Sequence, residues 1–182
     1  MTRRLACFSA AMGFVAIVAI GCSTEPGNQE GVESLSNDSQ EQLARMEVQD
    51  PGLEGFLNHA YAYAIFPSVG KGALIAGGAY GHGEVFQGGR FIGYADITQA
   101  TIGAQVGGEA YAELLVFKDA DALDRFEGSR LTLAADASAV ALQAGTAAAA
   151  KFEGGVVVFV SPKAGLMLEA AVGGQSFTYE AK

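Results

Sequence analysis

From Tyr61 to the C-terminus the chain is a succession of short apolar runs interrupted or separated by glycine, and this pattern restricts the fold more than any other feature. Residues 62–66 form one run, stopped by Pro67. Runs at 73–86, 90–98, 100–106 and 110–117 follow. Such runs, rich in Val, Ile, Phe and Tyr and bounded by turn residues, read as strands. Gln87-Gly88-Gly89 is a turn signal between two of them, and Gly107-Gly108 is a second turn or a bulge. Further strands are predicted at 131–135, 155–160, 165–172 and 176–179, with the Ala-rich 144–150 as a loop or short helix. Glycine within strands fits tight curvature or close backbone approach.

Helical signals sit mostly before this region. Ser39-Gln40-Glu41-Gln42 is a capping-box pattern that opens a short helix with Leu43 and Met46 on its apolar side. Asp50 is a good N-cap for a second helix, with Pro51 at its favoured first position. Leu53, Phe56, Leu57 and Ala60 then recur at helical spacing, and that face is expected to pack on the domain. One more helix is predicted at 119–127, capped by Asp119, with Leu123 and Phe126 inward and Gly128 ending it. The expectation is therefore a single compact α+β domain over residues 39–182. Its core is a curled, mainly antiparallel sheet with N-terminal helices and one short inserted helix.

The first residues carry a different message. Arg3 and Arg4 precede an apolar run at 10–20, too short to span a bilayer, and Gly21-Cys22-Ser23 follows. Residues 1–21 read as an export signal, and Ala19-Ile20-Gly21-Cys22 resembles a bacterial lipobox, in which cleavage before the cysteine exposes a thiol that carries diacylglycerol. Cys7 would leave with the signal, so one cysteine would remain, and acylation of Cys22 would protect a thiol that has no partner. The polar stretch 22–38 reads as a lipidated cysteine and flexible linker. The expected location is the bacterial cell envelope, lipid-anchored, with the outer membrane facing the periplasm as one option.

Charge narrows the partners. Loss of residues 1–21 removes Arg3 and Arg4 from 11 basic residues and none of the 20 acidic ones, taking the formal charge from −9 to about −11. Nucleic acid is not expected as a partner, since phosphate binding needs clustered Lys and Arg.

No catalytic constellation emerges. His59 and His82 are the only histidines; His59 reads as a surface residue. His82 stands beside a carboxylate in Gly81-His82-Gly83-Glu84, but ligands at neighbouring strand positions point to opposite faces, so no metal is expected. The glycines from Gly77 to Gly83 lack the Gly-Lys-Ser/Thr ending of a phosphate loop. Asp96, Glu109, Glu113 and Asp136 are scattered, with no spacing that supports acid–base chemistry. No serine lies in a nucleophile elbow. The chain reads as a non-enzyme without cofactor.

Several segments carry a resemblance. Ala64-Ile65-Phe66-Pro67-Ser68-Val69-Gly70-Lys71-Gly72 is similar to the opening motif of the SYLF domain, also called the Ysc84-type actin-binding or lipid-binding domain. Gly77-Gly78-Ala79-Tyr80-Gly81-His82-Gly83 continues it. Thr101-Ile102-Gly103-Ala104-Gln105-Val106-Gly107-Gly108, with Glu113-Leu114-Leu115-Val116-Phe117, is its strongest part. Leu133-Ala134-Ala135-Asp136-Ala137-Ser138 and Ser161-Pro162-Lys163-Ala164-Gly165-Leu166 follow in family order, so about residues 50–178 are covered. The resemblance implies one α+β domain without catalysis, associated in eukaryotic members with phosphoinositide membranes and actin. Unlike the basic N-terminal segment of lipid-binding members, residues 41–59 carry Arg45 against four carboxylates.

Lys71 and Lys163 fall in these motifs, beside Phe66-Pro67 and Pro162. Phe66, Lys71 and Lys163 are thus the candidate lipid-binding residues, as a small basic, apolar-edged patch, and Cys22 is the candidate lipidation site. The expected partners are membrane lipid through acylated Cys22 and a phospholipid or apolar ligand. The rival is a structural or protein-interaction module that docks on an envelope protein. A small membrane-spanning barrel is a third reading of the glycine-rich strands.

Overall fold

The computed structural model describes residues 24–70, 78–100, 110–133, 139–162 and 174–182. The chain opens with α1 (Gln29–Gln49) and α2 (Gly52–Asn58), then β1 (Ala62–Gly70), β2 (Gly78–Gln87), β3 (Arg90–Ala100) and β4 (Ala110–Phe117). α3 (Ala120–Glu127), β5 (Thr132–Leu133), β6 (Ala139–Ala141), α4 (Thr146–Ala149), β7 (Val156–Pro162) and β8 (Gln175–Ala181) complete it. The strands form one sheet in the order β5-β8-β3-β2-β1-β4-β7-β6, antiparallel throughout except for the β6–β7 pair. The fold is α+β in one domain, as the strand and helix patterns predict.

The sheet curls until its two sides meet. Phe66 on β1 lies with its ring 6.0 Å from that of Phe177 on β8, although β2 and β3 intervene in the sheet. Alternate residues of the strands, among them Ala64, Phe66, Val85, Ile97, Leu115, Phe117, Val158, Val160 and Phe177, fill the concave side as one apolar core. Glycines make that curvature sterically possible at two positions in particular. A Cβ on Gly83 would sit 2.6 Å from both the Ile65 carbonyl oxygen and the Phe66 ring, and one on Gly93 would strike the Tyr179 ring and the Glu180 backbone. α3 closes one end: the Phe126 ring lies tilted 5.0 Å from Phe117 and 5.3 Å from Phe177, joining β4 to β8. Asp119 caps this helix by accepting from Ala122 N at 3.0 Å, as its sequence predicts.

The convex side is covered by helices. Met46, Leu53, Phe56, Leu57 and Ala147 from α1, α2 and α4 pack on Ile65, Leu114, Val116, Val157 and Phe159. This part of the sheet therefore faces protein, not lipid, which removes the support for a membrane barrel there. Asp50 ties the helices together. Its carboxylate accepts from Gly52 N at 3.0 Å, Ala147 N at 2.7 Å, Gly145 N at 3.2 Å and Thr146 Oγ1 at 3.2 Å. Burial acts to raise its pKa, but these four bonds outweigh it and hold the group below its usual value.

Two expectations need correction. The linker reading of 22–38 fails from Gln29 onward, where α1 begins ten residues before the capping box at Ser39, with Asn28 as its N-cap accepting from Gly31 N at 2.8 Å. The helix was hidden because its packed face contains Ser39 and Gln42 beside Met46, a small and polar stripe with little hydropathy. Thr24 is also docked: its N–H and hydroxyl both donate to Glu180 Oε2 at 2.8 Å. Second, Pro67 does not end β1, because the strand continues to Gly70 past an irregularity in register between Phe66 and Val69. The predicted strands at 100–106 and 165–172 fall largely or wholly outside the described residues.

Candidate functional site

The concave side is apolar except at one end. β4 alternates Tyr111, Glu113, Leu115 and Phe117 inward, so a carboxyl occupies a position where the pattern calls for a core residue. Glu113 is fully buried. Gln175, the first residue of β8 and also fully buried, donates from Nε2 to Glu113 Oε2 at 2.8 Å. Beside them, the Tyr111 hydroxyl donates to Gln99 Oε1 of β3 at 2.7 Å. Three strands thus converge four polar side chains within the curl.

No cation faces Glu113 among the described residues, and Phe66 and Val160 flank it in register on β1 and β7. Burial pushes its carboxyl up to about 8, against a smaller lowering by the Gln175 bond. Burial, and then the nearby Glu113 charge, also push the Tyr111 hydroxyl up. Glu113 Oε1 and Gln175 Oε1 find no hydrogen-bond partner among the described residues. Two buried acceptors without donors are costly in a folded protein.

The cluster lies at a distinctive place. Gly70 pairs with Ala110, Gly78 with Ala100, Tyr111 with Pro162, and Gln99 with Gln175. Six strand ends therefore gather at this end of the sheet, opposite α3 and the Gly88-Gly89 turn.

The residues expected from sequence fare unequally. Phe66 is a core residue with no exposed surface, packed against Phe177 and the space left by Gly83, so it offers no face to a surface headgroup in this structure. Lys71, Lys163 and Cys22 lie outside the described residues, as do Glu109 and Asp136. His59 is exposed and its Nδ1 lies 2.7 Å from the Gly55 carbonyl. His82 and Glu84, two positions apart, share the convex face, contrary to the opposite faces expected, because only adjacent strand residues alternate. Yet they do not act together: His82 Nδ1 is 2.6 Å from Asp96 Oδ1 on β3. Glu84 is buried under α1, and that burial raises its pKa. Ser36 and Ser39 face the Glu84 carboxyl and partly oppose the shift, although Ser39 Oγ and Glu84 Oε2 fall short of full hydrogen bonds. No group of three or more His, Cys, Asp or Glu side chains suited to a metal occurs among the described residues.

Glu113 was one of four carboxylates that sequence spacing left unconnected. Its partner is 62 residues away, so no local motif could reveal the pair. The available signal was the acid itself, at an inward position between Tyr111 and Leu115.

Residues 98–182 match the family described as Ysc84, Las17-binding protein actin regulator. The matched segment holds the Glu113 cluster and three of the motifs quoted above, whereas the motifs at 64–72 and 77–83 precede it. The chain is also 26% identical over 138 residues to Beta cell expansion factor A of Aeromonas veronii, covering 74% of this chain. It spans about half, 52%, of that relative's length. From Thr98 to Lys182, end of β3 through β8, the chain is similar to the Ysc84 (SYLF) family.

Proposed function

We propose that this is a non-enzymatic envelope lipoprotein, tethered through acylated Cys22, whose SYLF domain binds lipid or an apolar ligand at the membrane surface. The observation that carries the reading is where the strands deliver their ends. Gly70 and Pro162 leave the sheet on either side of the start of β4, two strand spacings or roughly 10 Å apart. Lys71 and Lys163 are the next residues of the chain, so both lysines follow directly from one end of the sheet. The mature chain would carry a net charge of about −11, so the two lysines that follow Gly70 and Pro162 in the chain would favour one orientation at an anionic membrane. Tethering by Cys22 would raise the effective concentration of a weak site, and two or more acyl chains would make the anchor stable.

Liposome co-sedimentation tests the domain's own activity. The chain should be trimmed before Thr24 and not at residue 38, because Thr24 and α1 are packed on the sheet. Binding to vesicles at low salt supports the reading. Absence of binding to both anionic and neutral vesicles would leave the rival, a protein-interaction module held at the membrane by its anchor alone. The lipid anchor is tested separately by mass spectrometry of the N-terminal peptide, where an unmodified Cys22 in the mature protein would overturn it.

A further inference from the structure

At the buried end of the curl two side-chain oxygens accept no hydrogen bond from the described residues. Glu113 Oε2 is engaged by Gln175 Nε2, and Tyr111 donates to Gln99, leaving Glu113 Oε1 and Gln175 Oε1 unpartnered among the described residues. Both residues are fully buried, and neither is near a cation in the described part of the chain. We infer that Glu113 and Gln175 form a recognition site for a primary ammonium group, held by N–H bonds to the two unpartnered oxygens and by the Glu113 charge.

The chemistry of the acceptors selects this class over others. An anion is excluded by the carboxylate. A guanidinium prefers a two-oxygen fork, but one Glu113 oxygen is already occupied by Gln175. A hard divalent cation takes six or more oxygen ligands, and no group of three carboxylate, histidine or cysteine side chains includes Glu113 among the described residues. An ammonium supplies three donors and one charge in a small volume, which matches one ionised oxygen and one amide carbonyl. Tyr111 adds an aromatic side chain next to the site. Gln175 starts β8, and Tyr111 and Glu113 are second and fourth in β4, so the cluster lies toward the strand-end side of the apolar core. The ammonium could come from a free amine or from an aminophospholipid headgroup. The inference stands apart from the membrane reading, since a free amine suffices.

The test uses ethanolammonium chloride against tetramethylammonium chloride, equal in charge but without N–H donors, at matched ionic strength. It is run on the purified full-length protein at pH 9, where Glu113 is ionised. Among the described residues Tyr111 is the other titratable group facing it, and its hydroxyl stays protonated there because its pKa is raised. Ethanolammonium well above its Kd should raise the melting temperature by about 3 °C or more, and tetramethylammonium should not. Glu113→Gln and Gln175→Met should each lose the selective response. No selective shift in the unaltered protein, or an equal shift in Glu113→Gln, overturns the inference. Calorimetric titration of the unaltered protein covers the case of a variant that does not fold: saturable heat at one amine per chain supports the site, and its absence overturns it. Vesicles of phosphatidylcholine with and without phosphatidylethanolamine then identify the source. Preference for the mixed vesicles assigns a headgroup, and a response confined to the soluble amine assigns a free ligand; either outcome supports the ammonium site.

Discussion

Gln175 Nε2 donates a 2.8 Å hydrogen bond to Glu113 Oε2, although three strands separate β8 from β4 in the sheet. The bond crosses the interior of the curl and marks its polar end among the described residues. Neighbouring Phe66, Val160 and Phe177 exclude water, so the carboxyl has no solvent to stabilise its charge.

That isolation predicts a pH dependence. The folded pKa of about 8 lies above the ordinary 4.5, so the folded state binds the extra proton between these values. The contribution to stability is fully present below about 4.5 and is lost as pH rises through 8. Urea unfolding between pH 5 and 8 should show stability falling by up to about 1.4 kcal/mol per pH unit from this group. Glu113→Gln should flatten that slope and be the more stable protein at pH 9. A wild-type curve that rises or stays level across this window, with the variant superimposed, would contradict the placement of Glu113.

Asp50 works in the opposite sense. Its folded pKa is lowered, so its stabilising effect is present above the ordinary 3.8 and disappears as pH falls through the folded value. The four bonds it accepts join the starts of α2 and α4, which otherwise have unpaired N–H groups at the same place. Asp50→Ala should cost about 3 kcal/mol in chemical denaturation at pH 7, since several charge-assisted bonds end on one carboxylate. A loss below about 1 kcal/mol would mean that the two helices are held by apolar packing alone.

Residues whose partners are local were legible from sequence. Asp119 caps α3, Leu123 and Phe126 turn inward, and Leu53, Phe56 and Leu57 present the predicted face to the sheet. The start of α1 was not legible, because a helix that packs through Ser39 and Gln42 has no apolar stripe to read. β6 was missed for a related reason: a three-residue strand paired in parallel with β7 carries neither length nor alternation. The polar cluster depends on the curl, and the curl depends on contacts such as Phe66 with Phe177 that sequence spacing does not encode.

The curl itself can be tested at Gly83. A methyl group there would lie 2.6 Å from the Ile65 carbonyl oxygen, and backbone cannot yield as a flexible side chain can. Gly83→Ala should therefore destabilise by about 2 kcal/mol, within the range for overpacked cores. Shrinking the ring in a Gly83→Ala, Phe66→Leu double variant should recover little, because the backbone clash remains. Full recovery would show that the Phe66 ring alone demands the glycine.

At the N-terminal side, Glu180 Oε2 receives the Thr24 N–H and hydroxyl at 2.8 Å and the Glu25 N–H at 3.3 Å. These bonds fasten the chain ahead of α1 to β8, at the position where a membrane tether would pull. Glu180→Ala should speed amide exchange at residues 24–28 and open that segment to proteolysis. Global stability should fall by no more than about 1 kcal/mol, because the bonds are partly exposed. Unchanged exchange would show that α1 is held without this contact.

The last prediction concerns Lys71 and Lys163. A lysine near an anionic surface contributes about 1 kcal/mol, so two that follow from the same sheet end should together contribute about 2 kcal/mol, roughly thirtyfold in partitioning. Lys71→Gln with Lys163→Gln should weaken co-sedimentation with anionic vesicles by about that factor at low salt, and less as salt screens the interaction. Binding to neutral vesicles should not change, because it depends on apolar contact. The acidic remainder of the surface makes the comparison sensitive, since with a net charge of about −11 the trimmed chain has little other attraction for an anionic bilayer. Equal binding by the parent and the double variant on anionic vesicles would remove both lysines from the membrane contact and turn attention to the anchor at Cys22.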